Sequence, residues 1–156
     1  MRLYFLRHAE AVDGANDAAR ELSSQGRKDA RAIGRFLHRN EISFDAAYTS
    51  PLVRARQTAE IVLDATNEHA PVKLQVVDAL LNEATDFTGW LQRLPEARHI
   101  LLVGHAPSLP AHVCKLLACA NAEAFKMAKG GLACLKTENR KLAALKFYVT
   151  PKVLVD

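Results

Sequence analysis

Short apolar runs alternate with helix-period segments along this chain, and that alternation constrains its fold more than any other feature. Residues 2–6 read as a first strand, and residues 100–103, a continuous apolar run between His99 and Gly104, as a strand buried on both faces. Ser23 or Ser24 caps a helix whose apolar positions Ala30, Ile33, Gly34 and Leu37 follow the i, i+3, i+4, i+7 spacing. Residues 44–48 form a second predicted strand. Ser50 is then expected as an N-cap and Pro51 as the first residue of a helix presenting Leu52, Ala55, Ala59 and Val62 on one face. A third strand over 73–77, helices near 86–94 and 108–118, and a hairpin of 132–135 with 142–149 around Glu138-Asn139-Arg140 complete the series. The order predicts an α/β, single-domain three-layer sandwich over residues 1–156, with a mainly parallel central sheet, helices on both faces and a C-terminal hairpin.

Composition narrows the function classes. Apolar residues make up 49% and charged residues 24%, near the average for a globular domain. The apolar stretch at Met1 ends at Arg7-His8, too short for a signal-peptide core or a membrane span, so a cytoplasmic location and no membrane partner are expected. The three cysteines, Cys114, Cys119 and Cys134, form no Cys-x-x-Cys pair, and no His-x-x-x-His occurs; neither a disulfide framework nor a metal site is expected. Cys114 and Cys119 read as buried thiols in an apolar stretch. The net charge of +4 is spread among interleaved acids, as in Arg27-Lys28-Asp29, which argues against nucleic acid as a partner.

Three predicted strand ends carry chemistry: Arg7-His8, Ser50-Pro51-Leu52-Val53-Arg54 and Gly104-His105. Ligands of open α/β sheets bind at the carboxyl ends of the strands, so parallel neighbours would bring two arginines and two histidines to one crevice. Arginine forks satisfy phosphoryl oxygens bidentately, and a neutral imidazole can attack phosphorus and carry the group covalently. The flanking cations are expected to disfavour the imidazolium of His8. Arg56 and Gln57 are assigned to a solvated helix face, and His38, His69, His99 and His112 to surface or packing positions. Asp13 and Asn16 read as turn formers in the loop from Ala9 to Glu21.

The segment Leu6-Arg7-His8-Ala9-Glu10-Ala11 resembles the Arg-His-Gly motif of the histidine phosphatase superfamily, the phosphoglycerate mutase-like family. Thr49-Ser50-Pro51-Leu52-Val53-Arg54-Ala55-Arg56-Gln57-Thr58-Ala59 resembles its second motif and Leu102-Val103-Gly104-His105-Ala106-Pro107 its third. Leu22-Ser23-Ser24-Gln25-Gly26 is similar to the segment that opens the family's first helix. The resemblance implies that His8 is the nucleophile, that Arg7 and Arg54 clamp the phosphoryl oxygens, and that His105 donates a hydrogen bond to the transferring group. Arg7, His8, Arg54 and His105 together would bind the phosphate, with no metal and no cofactor. Ala9 stands where the family usually has glycine and is expected to trim the pocket slightly. For the family's acid/base carboxylate Glu83 is the candidate, with Glu10, Asp13 and Asp86 as rivals; a charge at the start of a helix is the other reading of Glu83. The chain leaves little room for the lid insertions of mutases and sugar bisphosphatases, and so is most similar to the short SixA-type branch. That resemblance implies a phosphatase for phosphohistidine on a phosphorelay or phosphotransfer protein. A phosphomonoesterase for a small phosphorylated metabolite is the alternative. A non-catalytic domain that only binds phosphorylated ligands is the reading from another class, against which the intact four-residue set speaks.

Overall fold

The computed structural model describes residues 1–154. Strands β1 (Arg2–Arg7), β2 (Ala46–Thr49), β3 (Leu74–Val76), β4 (His99–Gly104), β5 (Leu132–Thr137) and β6 (Ala143–Val149) form one sheet in the order β3-β2-β4-β1-β5-β6. The first four of these neighbours run parallel, while β5 is antiparallel to β1 and pairs with β6 as the expected hairpin.

Alternation along the central strands builds the three layers. Leu3 and Phe5 of β1, with Ile100 and Leu102 of β4, pack against Phe87, Leu91, Leu109 and Val113. Those side chains belong to α3 (Phe87–Gln92) and α4 (Ser108–Leu116). Tyr4 and Leu6, with Leu101 and Val103, face the other way onto Ile33, Leu37, Ala55 and Val62 of α1 (Ser24–Arg39) and α2 (Val53–Thr66). Both faces of β1 and β4 are sealed, which is why their sequences read as unbroken apolar runs.

Ser23 caps α1, its side chain accepting from the amide of Gly26. A Cβ on Gly26 would fall 2.0 Å from the Glu10 carbonyl oxygen, so only glycine lets the segment after β1 lie against this helix. The same carbonyl accepts from the Ser23 amide at 3.0 Å. The Leu22-to-Gly26 motif thus seats the loop that follows the first strand.

Several boundaries differ from expectation. Phe44 lies outside β2 because the Asn67 side chain takes both its backbone groups, at 3.0 and 2.8 Å. The second helix begins at Val53 with Leu52 as N-cap and no side-chain cap, so Ser50 and Pro51 precede it. Cys114 is buried as expected, whereas Cys119 is exposed, beyond the end of α4 and just after Ala118, whose φ is 56°. Among the described residues no helix is long and apolar enough to cross a membrane.

Candidate active site

Strand register brings the three motifs together. Arg7 pairs with Gly104 and Thr49 with Val103, so the next residue of each strand emerges at the same edge. The ladder continues one step further: the His8 amide donates to the Gly104 carbonyl at 3.0 Å, and the Ser50 amide to the Val103 carbonyl at 3.2 Å. His105 therefore stands between His8 and Ser50. The His8 and His105 ring centroids are 5.0 Å apart, tilted by 49°.

His8 is buried, and its Nδ1 lies 2.7 Å from the Ala9 carbonyl oxygen. A carbonyl can only accept, so Nδ1 carries the ring proton and Nε2 presents a lone pair. Burial pushes the His8 imidazole down from 6.5 to about 4, against the pull of that carbonyl; Arg54, Arg7 and Lys129 push it the same way. Desolvation leads, and the flanking cations act in the expected direction as smaller contributions. The Ala9 amide donates to Thr58 Oγ1 at 3.1 Å, and the Ala9 methyl packs with Leu22 and Ala30. The methyl thus fills an apolar cluster beneath α1 rather than trimming a pocket.

His105 Nε2 is 2.6 Å from Ser50 Oγ, while its Nδ1 is buried without a partner among the described residues. Burial pushes this ring down to about 3, with help from His8, Arg54 and Arg7 and opposition from Asp17. The Ser50 hydroxyl, expected to cap a helix, is instead the partner of the histidine that follows β4.

Arg7 donates from Nη1 to the Met127 carbonyl at 2.7 Å. Burial lowers its guanidinium below the usual value and Tyr148 opposes this, yet an arginine keeps its charge at neutral pH. Arg54 is buried and donates from Nη1 to the Asp17 carbonyl at 2.9 Å and from Nη2 to Asp17 Oδ2 at 3.3 Å. Arg20 holds the other oxygen, Oδ1, at 3.1 Å. Arg54, with Arg20 behind it, keeps the exposed Asp17 carboxyl below the usual carboxylate range. The Nε atoms of Arg7 and Arg54 are buried and, like His105 Nδ1, lack a partner among the described residues. Buried polar nitrogens are nearly always paired, and three of the four exceptions among the described residues, His112 Nε2 being the other, fall on the expected four residues.

The rim is tied in by Gly130, whose amide donates to the carbonyls of both Arg7 and His8 at 3.1 Å. Its φ of 76° favours glycine, and it holds the segment carrying Lys129 and the Met127 carbonyl beside β1.

Glu83 is exposed, without a hydrogen bond or ion pair among the described residues. Its neighbour Asn82 pins this segment beside the third motif, bonding the Ala106 carbonyl at 2.9 Å and the Ser108 amide at 3.1 Å. Glu10 is committed to the Ser23 hydroxyl at 2.7 Å, and Asp13 and Asp86 are exposed. Asp17, Arg20, Ser50 and Thr58 were not singled out for the site. Thr58 carried a signal, standing one helical turn after Arg54; Asp17 reaches Arg54 across 37 residues without one. Gln57, assigned to a solvated face, holds the Leu22 amide at 2.8 Å, while Arg56 is exposed. Among the described residues no three His, Cys, Asp or Glu side chains are grouped to hold a metal ion.

The chain is similar to known proteins over most of its length. The sequence profile of the histidine phosphatase superfamily (branch 1) matches residues 3–84. An uncharacterized protein of Picosynechococcus sp. is 38% identical over 117 residues, 70% of this chain and 68% of that protein. The phosphohistidine phosphatase SixA of Escherichia coli is 28% identical over 112 residues, 69% of this chain and 68% of its own. A solved structure of the protein histidine phosphatase SixA complexed with tungstate shares the fold, with a TM-score of 0.89 at 22% identity, covering 99% of this chain and 100% of that one. The chain thus belongs to branch 1 of the histidine phosphatase superfamily.

Proposed function

We propose that this phosphatase hydrolyses phosphohistidine on a protein partner, such as a phosphorelay or phosphotransfer protein, through a phosphoryl group carried transiently on Nε2 of His8. The observation that carries the reading is the 2.7 Å bond from His8 Nδ1 to the Ala9 carbonyl, which leaves Nε2 as the nucleophile. In the first step Nε2 attacks phosphorus, the substrate P–N bond breaks, and the departing imidazole takes a proton from solvent. In the second, water attacks the phosphoryl group on His8, releasing inorganic phosphate and restoring the lone pair. Arg7 and Arg54 neutralise the phosphoryl oxygens, offering Nε groups that have no other partner among the described residues, and His105 donates alongside them.

The choice of substrate rests on the carboxylates. Asp17, which meets Arg54, is held ionised by its two arginines and cannot donate a proton to a departing alkoxide; Glu83 is exposed and has no partner among the described residues. An imidazole leaving group makes less demand on a general acid than an alkoxide does. Similarity to the Escherichia coli phosphohistidine phosphatase supports the same choice. The test compares hydrolysis of a phosphohistidine-bearing phosphotransfer protein with that of sugar and nucleotide phosphates. The protein substrate should have the higher kcat/KM; preferential hydrolysis of a small ester would establish the metabolite phosphatase instead.

A further inference from the structure

We propose that Ser50 is a positioning residue: its hydroxyl donates to Nε2 of His105 and so fixes His105 as the Nδ1–H tautomer, the form that can donate to the transferring phosphoryl group. This deepens the function proposed above and rests on it. Ser50 Oγ and His105 Nε2 are 2.6 Å apart, and the two residues are 0% and 2% exposed, so solvent does not compete for the bond. Ser50 Oγ also accepts from the Leu52 amide at 3.3 Å.

Proton counting decides the direction. A serine hydroxyl has one proton and two lone pairs. If Nε2 carried the imidazole proton, Oγ would accept from both Nε2 and the Leu52 amide. Its own proton would then be buried with no acceptor among the described residues. If Oγ donates to Nε2, the hydroxyl, Nε2 and the Leu52 amide are all paired, and the imidazole proton sits on Nδ1. Burial keeps the ring neutral, so one tautomer has to be chosen. Nδ1 is then the buried atom without a partner among the described residues, and in this tautomer it is a donor that an oxyanion can use. The position of Ser50 is set by the sheet, its amide bonding the Val103 carbonyl at 3.2 Å, so the hydroxyl is delivered by the same ladder that places His105.

The tautomer is read directly by two-dimensional nitrogen–proton NMR of the native protein labelled in its histidine rings, at neutral pH. His105 should show a protonated Nδ1 and an unprotonated Nε2. In Ser50→Ala the protonated nitrogen should shift wholly or partly to Nε2. The kcat for phosphohistidine should fall about tenfold, a fraction of the loss from removing a whole oxyanion donor, with KM little changed. Ser50→Thr keeps a hydroxyl and should restore both the tautomer and most of kcat. A protonated Nε2 in the native protein, which needs no variant to observe, overturns the proposal; so does an unchanged tautomer or full kcat in Ser50→Ala. Should the native protein show the Nδ1–H tautomer yet hydrolyse no phosphate compound, the function proposed above fails while the tautomer assignment stands.

Discussion

The ring of His8 is held by its own chain neighbour: Nδ1 sits 2.7 Å from the carbonyl oxygen of Ala9, while the Ala9 amide is held at 3.1 Å by Thr58 of α2. One residue, Ala9, therefore orients the imidazole and fixes its tautomer through its carbonyl, and is anchored through its amide to the helix that carries Arg54. Burial adds the electrostatic half, since a ring pushed down to about 4 is neutral across the physiological range.

That depression sets the acid limb of the reaction. The proposed nucleophile is lost when Nε2 takes a proton, so activity should belong to the alkaline side of the His8 titration. With an acid-stable aryl phosphate, kcat/KM should hold through pH 5 and fall as pH drops through about 4. A limb near the ordinary histidine value of about 6.5 would show that the folded protein does not disfavour the imidazolium.

The two ends of the Arg54–Asp17 contact should have unequal effects. Arg54→Ala removes a buried cation from the oxyanion arrangement and should cost on the order of 3 kcal/mol of transition-state stabilisation, about a hundredfold in kcat/KM. Asp17→Ala deletes an exposed carboxylate whose ion pair is screened by solvent. It keeps the Asp17 carbonyl that Arg54 Nη1 uses at 2.9 Å, so the loss should stay below about tenfold. Equal losses in the two variants would mean that Asp17 acts directly on substrate.

Thr58 joins the first and second motifs, accepting from the Ala9 amide and donating to the Arg54 carbonyl at 2.7 Å, in a fully buried setting. Thr58→Val preserves the shape but leaves the Ala9 amide unsatisfied, which should cost about 1–3 kcal/mol in urea unfolding. An unchanged unfolding free energy would mean that the amide finds another partner.

Much of this was legible in the sequence because it depends on local periodicity. Apolar runs of strand length gave β1 and β4, and the positions just past them gave His8 and His105, which the parallel register brings together. What sequence misassigned depends on partners far along the chain. Ser50-Pro51 has the residue types of a helix cap, but the hydroxyl is used by a histidine 55 residues away. Phe44 stands at the start of the expected second strand, but Asn67 claims its backbone. Asp17 looks like any loop aspartate until Arg54, 37 residues on, reaches its carbonyl and carboxylate. Hydrophobic patterning reports which face is buried; it does not report which polar groups meet there.

His112 lies outside the site and stacks on Phe87, with ring centroids 3.8 Å apart and planes within 9°. Burial pushes it down to about 4, with Lys115 adding to the shift. A histidine depressed in the folded state binds its proton more readily in the unfolded chain. The stability this represents is present above about 6.5 and is lost as pH falls toward about 4. His8 and His105 act in the same direction. Urea unfolding should therefore show lower stability at pH 5 than at pH 7, with a smaller drop in His112→Phe, which keeps an aromatic ring on Phe87. An identical drop in the variant would place the pH dependence elsewhere.

The central claim is tested most directly by trapping the intermediate. Protein mixed with a phosphohistidine substrate and quenched rapidly at alkaline pH, where phosphohistidine survives, should carry one phosphoryl group on His8. Mass spectrometry should locate the residue, and phosphorus–nitrogen NMR should place the group on Nε2 because Nδ1 is engaged by the Ala9 carbonyl. His8→Ala should carry no label and show no turnover while still binding vanadate through Arg7, Arg54 and His105. A label on His105, a label on Nδ1 of His8, or full turnover in His8→Ala would contradict the assignment of His8 Nε2 as nucleophile.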